Sequence, residues 1–260
     1  MSADVLRVRS PDGTTLACWR DGSGPALLAV HGTISDHTIW DPARPLLAQT
    51  ATVYALDRRG HGHSTDQPRH DLEREVEDVI ALAATIGAPV DLLGHSYGGL
   101  VALEAAPRLT NLRRLILYEP SVDEANLENL IERVERLIAA KDRDAALTAV
   151  LADRLSIPTE ALAAWRELPA WTNDRDNVDT WPREARTIAR YRLTPSRLQT
   201  LDAATLVLIG EQSPPWRHHA CHAITDALPT AEAATLNDQG HLAMLAAPDP
   251  FAATIQRFLA

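Results

Sequence analysis

The chain has 260 residues, 45% of them hydrophobic and 23% charged, which is enough apolar content at this length to bury a full core and to exclude a disordered polypeptide. Its 35 acidic against 25 basic side chains give a formal net charge of −10, so a phosphate backbone meets a repulsive mean field and no nucleic-acid partner is expected. The first residues, MSADVLRVRSPDG, carry neither a basic n-region nor an apolar h-region, and no later run is long and apolar enough to span a bilayer, which predicts a soluble cytoplasmic protein with no membrane partner.

In chain order, β-rich runs at 5–9 and 14–20 flank the turn signal Pro11-Asp12-Gly13 and predict an opening hairpin. Cys18 lies in the second run and Cys221 far downstream, neither with metal-ligand spacing, so both read as structural thiols. The runs at 26–30 and 52–56 are apolar throughout or nearly so. Each ends at a polar, glycine-containing loop: His31-Gly32-Thr33, and Asp57-Arg58-Arg59-Gly60-His61-Gly62-His63-Ser64. Such runs suit strands covered on both faces, as in a parallel sheet.

Residues 71–86 place Val76, Val79, Ile80, Ala83 and Ile86 at helical spacing before Gly87-Ala88-Pro89 stops the helix. A strand at 90–93, a helix at 97–108 and a strand at 112–118 follow. From 121 to 200 only helical stretches are evident, at 127–140, 143–155 and 182–192. Alternation resumes with a strand at 205–209, a helix at 218–228, a short strand at 233–236 and a closing helix at 250–259. The pattern predicts an α/β fold with a mostly parallel, doubly wound sheet, its core formed by 1–120 and 201–260 and interrupted by a helical insertion at 121–200.

Between the strand ending at 93 and the helix beginning at 97 stands Gly94-His95-Ser96-Tyr97-Gly98-Gly99. A serine on a sharp strand-to-helix turn needs small neighbours, and Gly94 and Gly98 supply them. The turn lifts the Ser96 hydroxyl above the carboxyl edge of the sheet, with the Tyr97 amide at the helix N-terminus facing the same space. This marks Ser96 as a candidate nucleophile.

The chain resembles a capped α/β-hydrolase over nearly its whole length. The resemblance is carried by His31-Gly32, the Asp57-to-Ser64 run, the Gly-His-Ser-Tyr-Gly-Gly elbow and Gln239-Gly240-His241, in that order. It implies that the amides of Thr33 and Tyr97 form an oxyanion hole; His31 reads as bracing its loop, and the Arg58-to-Ser64 run as a glycine-rich structural turn, with a catalytic His61 or His63 as the alternative. Of ten histidines, His241 is the expected base, because it follows a short strand and a glycine-containing loop at the sheet's carboxyl edge. His218, His219 and His222 read as surface or helix-end residues, and His37 and His70 lie in polar stretches without a defined partner.

In most relatives the acid follows the strand at 205–209, but this chain reads Gly210-Glu211-Gln212-Ser213, with serine where aspartate is expected. Glu119, at the end of the strand after the nucleophile helix, is the favoured replacement, as in some α/β-hydrolases; Glu211 and Asp123 are the alternatives. The implied activity is a serine hydrolase cleaving a carboxylic ester or lactone, with a small-molecule substrate and no metal or organic cofactor. Thioesterase, C–C bond hydrolase and cofactor-free perhydrolase chemistry use similar constellations. Haloalkane dehalogenase and epoxide hydrolase chemistry is disfavoured, since related folds use aspartate at the position of Ser96. A ligand-binding or signalling protein on the same fold is the reading from another class. Trp165, Trp171, Trp181 and Tyr191 in the insertion could line a pocket or pack its helices. The arginines 183, 186, 190, 192 and 197 read as a solvated face.

Overall fold

The alternation of apolar runs and amphipathic stretches closes into one eight-stranded sheet in the computed structural model, which describes residues 4–124, 126–155, 157 and 159–260. The N-terminal residues 1–3, and Ala125, Ser156 and Pro158 of the expected insertion, lie outside the described residues. The elements run β1 (Asp4–Arg9), β2 (Thr15–Gly22), β3 (Ala26–Val30), α1 (Arg44–Leu47), β4 (Thr52–Asp57), α2 (Leu72–Ile86), β5 (Val90–His95), α3 (Ser96–Ala105) and β6 (Leu112–Tyr118). Then come α4 (Glu128–Ala139), α5 (Arg143–Ala149), a π-helical turn (Val150–Arg154), α6 (Thr159–Arg166), α7 (Pro169–Asn177), α8 (Trp181–Arg190) and α9 (Pro195–Leu198). The chain closes with β7 (Ala204–Gly210), α10 (Pro215–Ala227), β8 (Ala231–Leu236), α11 (Ala243–Ala246) and α12 (Pro248–Leu259).

The strand order is β1-β2-β4-β3-β5-β6-β7-β8. The opening hairpin pairs antiparallel with itself and with β4, and every later pairing is parallel. β3 and β5 are buried along their whole length, because helices cover both faces. One face packs Val79, Leu82, Leu100, Val101 and Ile224 of α2, α3 and α10. The other packs Leu47, Met244, Phe251 and Ile255 of α1, α11 and α12. Strands buried on both faces need no polar alternation: β3 is apolar throughout, and β5 is mostly so, its buried Asp91 paired with Arg113.

Element boundaries shift where capping residues act. Asp71 caps α2 by accepting the Arg74 amide at 3.0 Å, and Gly87 ends that helix with a left-handed φ of 70°. The helix expected at 143–155 divides at Ala149, where the backbone continues as the π-helical turn. α6 and α7 were not expected from periodicity. The buried side chains of α7 include Trp171, Asp174 and Asn177, spaced three apart, and two of them are polar, so a search for apolar spacing misses the helix.

Two local readings are corrected. His37 and His70 do have partners: His37 Nδ1 lies 2.7 Å from Asp57 Oδ1, and His70 Nε2 lies 2.9 Å from Glu75 Oε1. Cys18 and Cys221 are buried and free, and burial pushes the Cys221 thiol up to about 12. No helix among the described residues is long and apolar enough to cross a membrane.

Candidate active site

Ser96 opens α3 directly from β5 with a φ of 54°, in the left-handed region that costs a non-glycine residue energy. The turn holds because its neighbours are small. A Cβ on Gly94 would lie 2.6 Å from both Ala102 Cβ and the Gly98 carbonyl, and one on Gly98 would collide with the backbone of Val30 and His31. The Ser96 side chain is nearly buried. Its Oγ stands 3.4 Å from Ser121 Oγ, and the Ser121 amide donates to the Ser96 carbonyl at 3.0 Å. No hydrogen bond joins Ser96 Oγ to the His241 ring among the described residues.

The loop 31–33 runs close to this turn. A Cβ on Gly32 would lie 3.0 Å from Ser96 Cβ, so the chain passes Ser96 at a distance that favours glycine. His31 is buried and holds the loop: its Nε2 accepts the Arg58 amide at 3.1 Å, and its carbonyl accepts Arg58 Nε at 3.0 Å. Arg58 also donates to the Gly32 carbonyl at 2.9 Å, and pairs with Glu75 at 2.6 Å and Glu184 at 2.8 Å. Arg58 and His61, whose Nε2 lies 2.8 Å from Glu184 Oε1, are therefore bound into a buried network joining the sheet to α2 and α8. Thr33 follows this braced segment and lines the same pocket as Ser96.

His241 sits in the loop after β8, where its Nδ1 lies 2.7 Å from Glu119 Oε2. The other carboxylate oxygen of Glu119, Oε1, accepts the Gly210 amide at 2.7 Å. Glu119 leaves β6 with a φ of 44°, and its own amide bonds the Leu208 carbonyl of β7 at 3.1 Å. Its side chain thus reaches across to the end of β7, beside the loop where the missing aspartate was expected. The longer glutamate side chain spans that step.

With Nδ1 donating to a carboxylate, the neutral imidazole keeps Nε2 as an acceptor. His95 Nε2 donates to the His241 carbonyl at 2.9 Å, and the Tyr118 hydroxyl bonds the Gly240 carbonyl and accepts the Ala243 amide at 3.2 Å. These contacts clamp the loop on both sides of His241. Burial, and then the charges of Arg217 and Arg154, hold the His241 ring well below the usual histidine range.

The alternative acids are engaged elsewhere. Glu211 Oε2 accepts the Asp238 amide at 2.8 Å, and Asp123 Oδ1 accepts the Leu193 amide at 3.0 Å. Ser213 is buried and its Oγ has no partner among the described residues.

Ser96 and His241 line one pocket of about 590 Å³, walled by Ile39, Leu151, Trp165 and Leu242. Asp174 also lines it; burial and the charge of Asp36 push its carboxyl up to about 8. A second, smaller cavity that Ser96 also lines has Thr33, Ser121, Arg154, Trp181 and Arg217 in its walls. A wider cleft of about 1320 Å³ around Asp123, Glu124, Arg154 and Trp216 touches neither Ser96 nor His241. Of the aromatic residues in the helical segment, Trp171 and Trp181 are buried among the helices, Tyr191 donates to Glu104 at 2.7 Å, and Trp165 faces the pocket. Arg183, Arg186 and Arg197 pair with Asp66, Glu135 and Glu104. The arginines that line a cavity beside Ser96 are Arg154 and Arg217, and no local spacing in the sequence marked them or Asp174.

The sequence model of the alpha/beta hydrolase family matches residues 27–254. The crystal structure of an alpha/beta hydrolase from Sphaerobacter thermophilus DSM 20745 aligns with a TM-score of 0.87 and 30% identity, covering 98% of this chain and 100% of that one. A 2-(acetamidomethylene)succinate hydrolase of Mesorhizobium japonicum is 31% identical over 155 residues, which are 57% of this chain and 55% of that protein, so the match spans about half of the relative. A pimeloyl-[acyl-carrier protein] methyl ester esterase of Xylella fastidiosa is 27% identical over 92% of this chain and 96% of its own length.

Proposed function

The chain belongs to the alpha/beta hydrolase family, and on that premise we propose that it is a serine hydrolase cleaving a carboxylic ester or lactone of small to medium size through an acyl-enzyme. Ser96 is the nucleophile, His241 the base, Glu119 the acid that orients it, and the amides of Thr33 and Tyr97 the oxyanion hole. The observation that carries this reading is the 2.7 Å contact between His241 Nδ1 and Glu119, in a pocket the histidine shares with Ser96. The helical segment between β6 and β7 acts as the cap over that pocket.

Turning about its Cα–Cβ bond, Ser96 exchanges the Ser121 contact for His241 Nε2, which takes the hydroxyl proton as Oγ bonds the carbonyl carbon. The carbonyl oxygen becomes an alkoxide held by two amides, one such donor being worth about 3 kcal/mol in the transition state. Glu119 supports the imidazolium that forms. His241 then returns the proton to the departing oxygen, the carbon–oxygen bond breaks, and the acyl group stays on Ser96. A water attacks this ester by the same route and releases the acid. The position of Glu119 removes the main ground for a ligand-binding or signalling role, which was the serine at position 213.

A fluorophosphonate probe tests the reading directly. We expect a mass shift on Ser96 in the wild type, none in Ser96→Ala, and hydrolysis of short para-nitrophenyl esters by the wild type alone. Absence of both labelling and turnover would sink it.

A further inference from the structure

Two arginines from separate elements meet in a cavity that Ser96 lines. Arg217 stands in the first turn of α10, and Arg154 ends the π-helical turn. Their guanidinium groups lie 4.3 and 4.6 Å from the ring centroid of Trp216. Both line a small cavity whose walls include Ser96, Thr33 and Ser121.

The two are not equally satisfied. Arg154 bonds Glu124. Arg217 is 3% exposed, yet its nearest carboxylate is Glu119, 3.7 Å from Nε and beyond hydrogen-bond range. Both Glu119 oxygens already accept closer hydrogens, from Gly210 and His241. Nη1 of Arg217 has no partner among the described residues. Burial and the neighbouring charge of Arg154 bring Arg217 down to about 10. A buried guanidinium is ordinarily hydrogen-bonded to its counter-anion, because its desolvation is otherwise uncompensated.

His241 lines the 590 Å³ pocket and not this cavity. Ser96 lines both, and the acyl part is the half of a substrate that stays bonded to it in the acyl-enzyme. We propose that Arg217, seconded by Arg154, binds a carboxylate on the acyl part, so that the enzyme selects esters of short dicarboxylic acids. The proposal rests on the serine-hydrolase reading above. The planar guanidinium fork suits a carboxylate.

The test compares para-nitrophenyl hydrogen succinate with the near-isosteric neutral para-nitrophenyl isocaproate, each corrected for spontaneous hydrolysis with Ser96→Ala. The wild type should favour the charged ester by at least about 10-fold in kcat/KM, and Arg217→Met should lower that ratio by about 10- to 100-fold, with Arg217→Lys retaining part of it. The ratio is the readout because Arg217 also faces Glu119, so its loss slows both esters. A wild-type ratio near unity, or one unchanged in Arg217→Met, overturns the subsite.

Calorimetric binding of succinate separates this proposal from the catalytic reading, since it needs no turnover. Ser96→Ala should bind succinate as the wild type does and isocaproate at least about 10-fold more weakly. Equal binding of the two acids overturns the subsite even where Arg217→Met fails to fold. Selective succinate binding with no hydrolysis of any ester overturns the hydrolase reading and leaves the subsite standing.

Discussion

Glu119 and His241 lie 122 positions apart in the chain and 2.7 Å apart in space. The glutamate leaves β6, fixes one oxygen on the Gly210 amide at the end of β7, and presents the other to the imidazole. A carboxylate from one strand end thereby occupies the edge of the next.

That geometry predicts a sharp ranking among three carboxylates. Glu119→Gln should lower kcat by about 10⁴-fold, as expected for loss of a triad acid. Glu211→Ala and Asp123→Ala, whose carboxylates bond the amides of Asp238 and Leu193, should stay within a few-fold of wild type. The pH profile of Glu119→Gln separates an orienting role from a merely structural one, since the acid limb set by His241 should move. Near-wild-type turnover in Glu119→Gln would refute the assignment.

The His241 ring titrates well below the usual histidine range. A base works only when unprotonated, so activity is lost as pH falls through its pKa, and a lowered pKa moves that loss to lower pH. We therefore expect kcat/KM to stay level from neutrality to below the ordinary histidine range. Arg217 contributes to the lowering, so Arg217→Met should shift the acid limb upward in pH. A limb that stays in place in Arg217→Met would contradict the charge effect.

Steric crowding at the elbow gives a stability prediction. A Cβ on Gly94 meets Ala102 Cβ and the Gly98 carbonyl at 2.6 Å, and overpacking of this kind costs about 1–3 kcal/mol. Gly94→Ala should lower the denaturation midpoint accordingly and reduce fluorophosphonate labelling of Ser96 at the same time. Unchanged stability together with unchanged labelling would show that the turn tolerates the added carbon.

Arg58 is buried with Glu75 and Glu184 as its charged partners. Replacing it by methionine leaves two buried carboxylates without their cation, and breaking such a buried pair typically costs about 3–5 kcal/mol. Urea unfolding of Arg58→Met should register that loss. The double variant Arg58→Met, Glu184→Gln should recover part of it, because one stranded charge is removed.

Local physics was legible in the linear chain. Apolar runs gave β3, β5 and β7, because a strand covered on both faces carries few polar positions. Helical spacing gave α2, and the glycines around Ser96 marked a strand-to-helix turn, although the backbone that excludes a side chain at Gly98, at Val30 and His31, is distant in the chain. Chain order, with the family resemblance, then singled out His241 as the candidate base. α7 escaped because its buried side chains include two polar groups, Asp174 and Asn177, and π-helical Val150–Arg154 because its spacing is not that of an α-helix.

Three candidate carboxylates satisfied the amino-acid order, and only folding distinguished them: side-chain reach across adjacent strands put Glu119 on the imidazole and left Glu211 and Asp123 on backbone amides. The meeting of Arg154 and Arg217 beside Ser96 was likewise a product of tertiary structure. Each arginine looks like an ordinary helix residue in its own neighbourhood. What distinguishes them is burial and the scarcity of hydrogen-bonded anions around Arg217, and these depend on which distant segments pack together rather than on any periodicity along the chain.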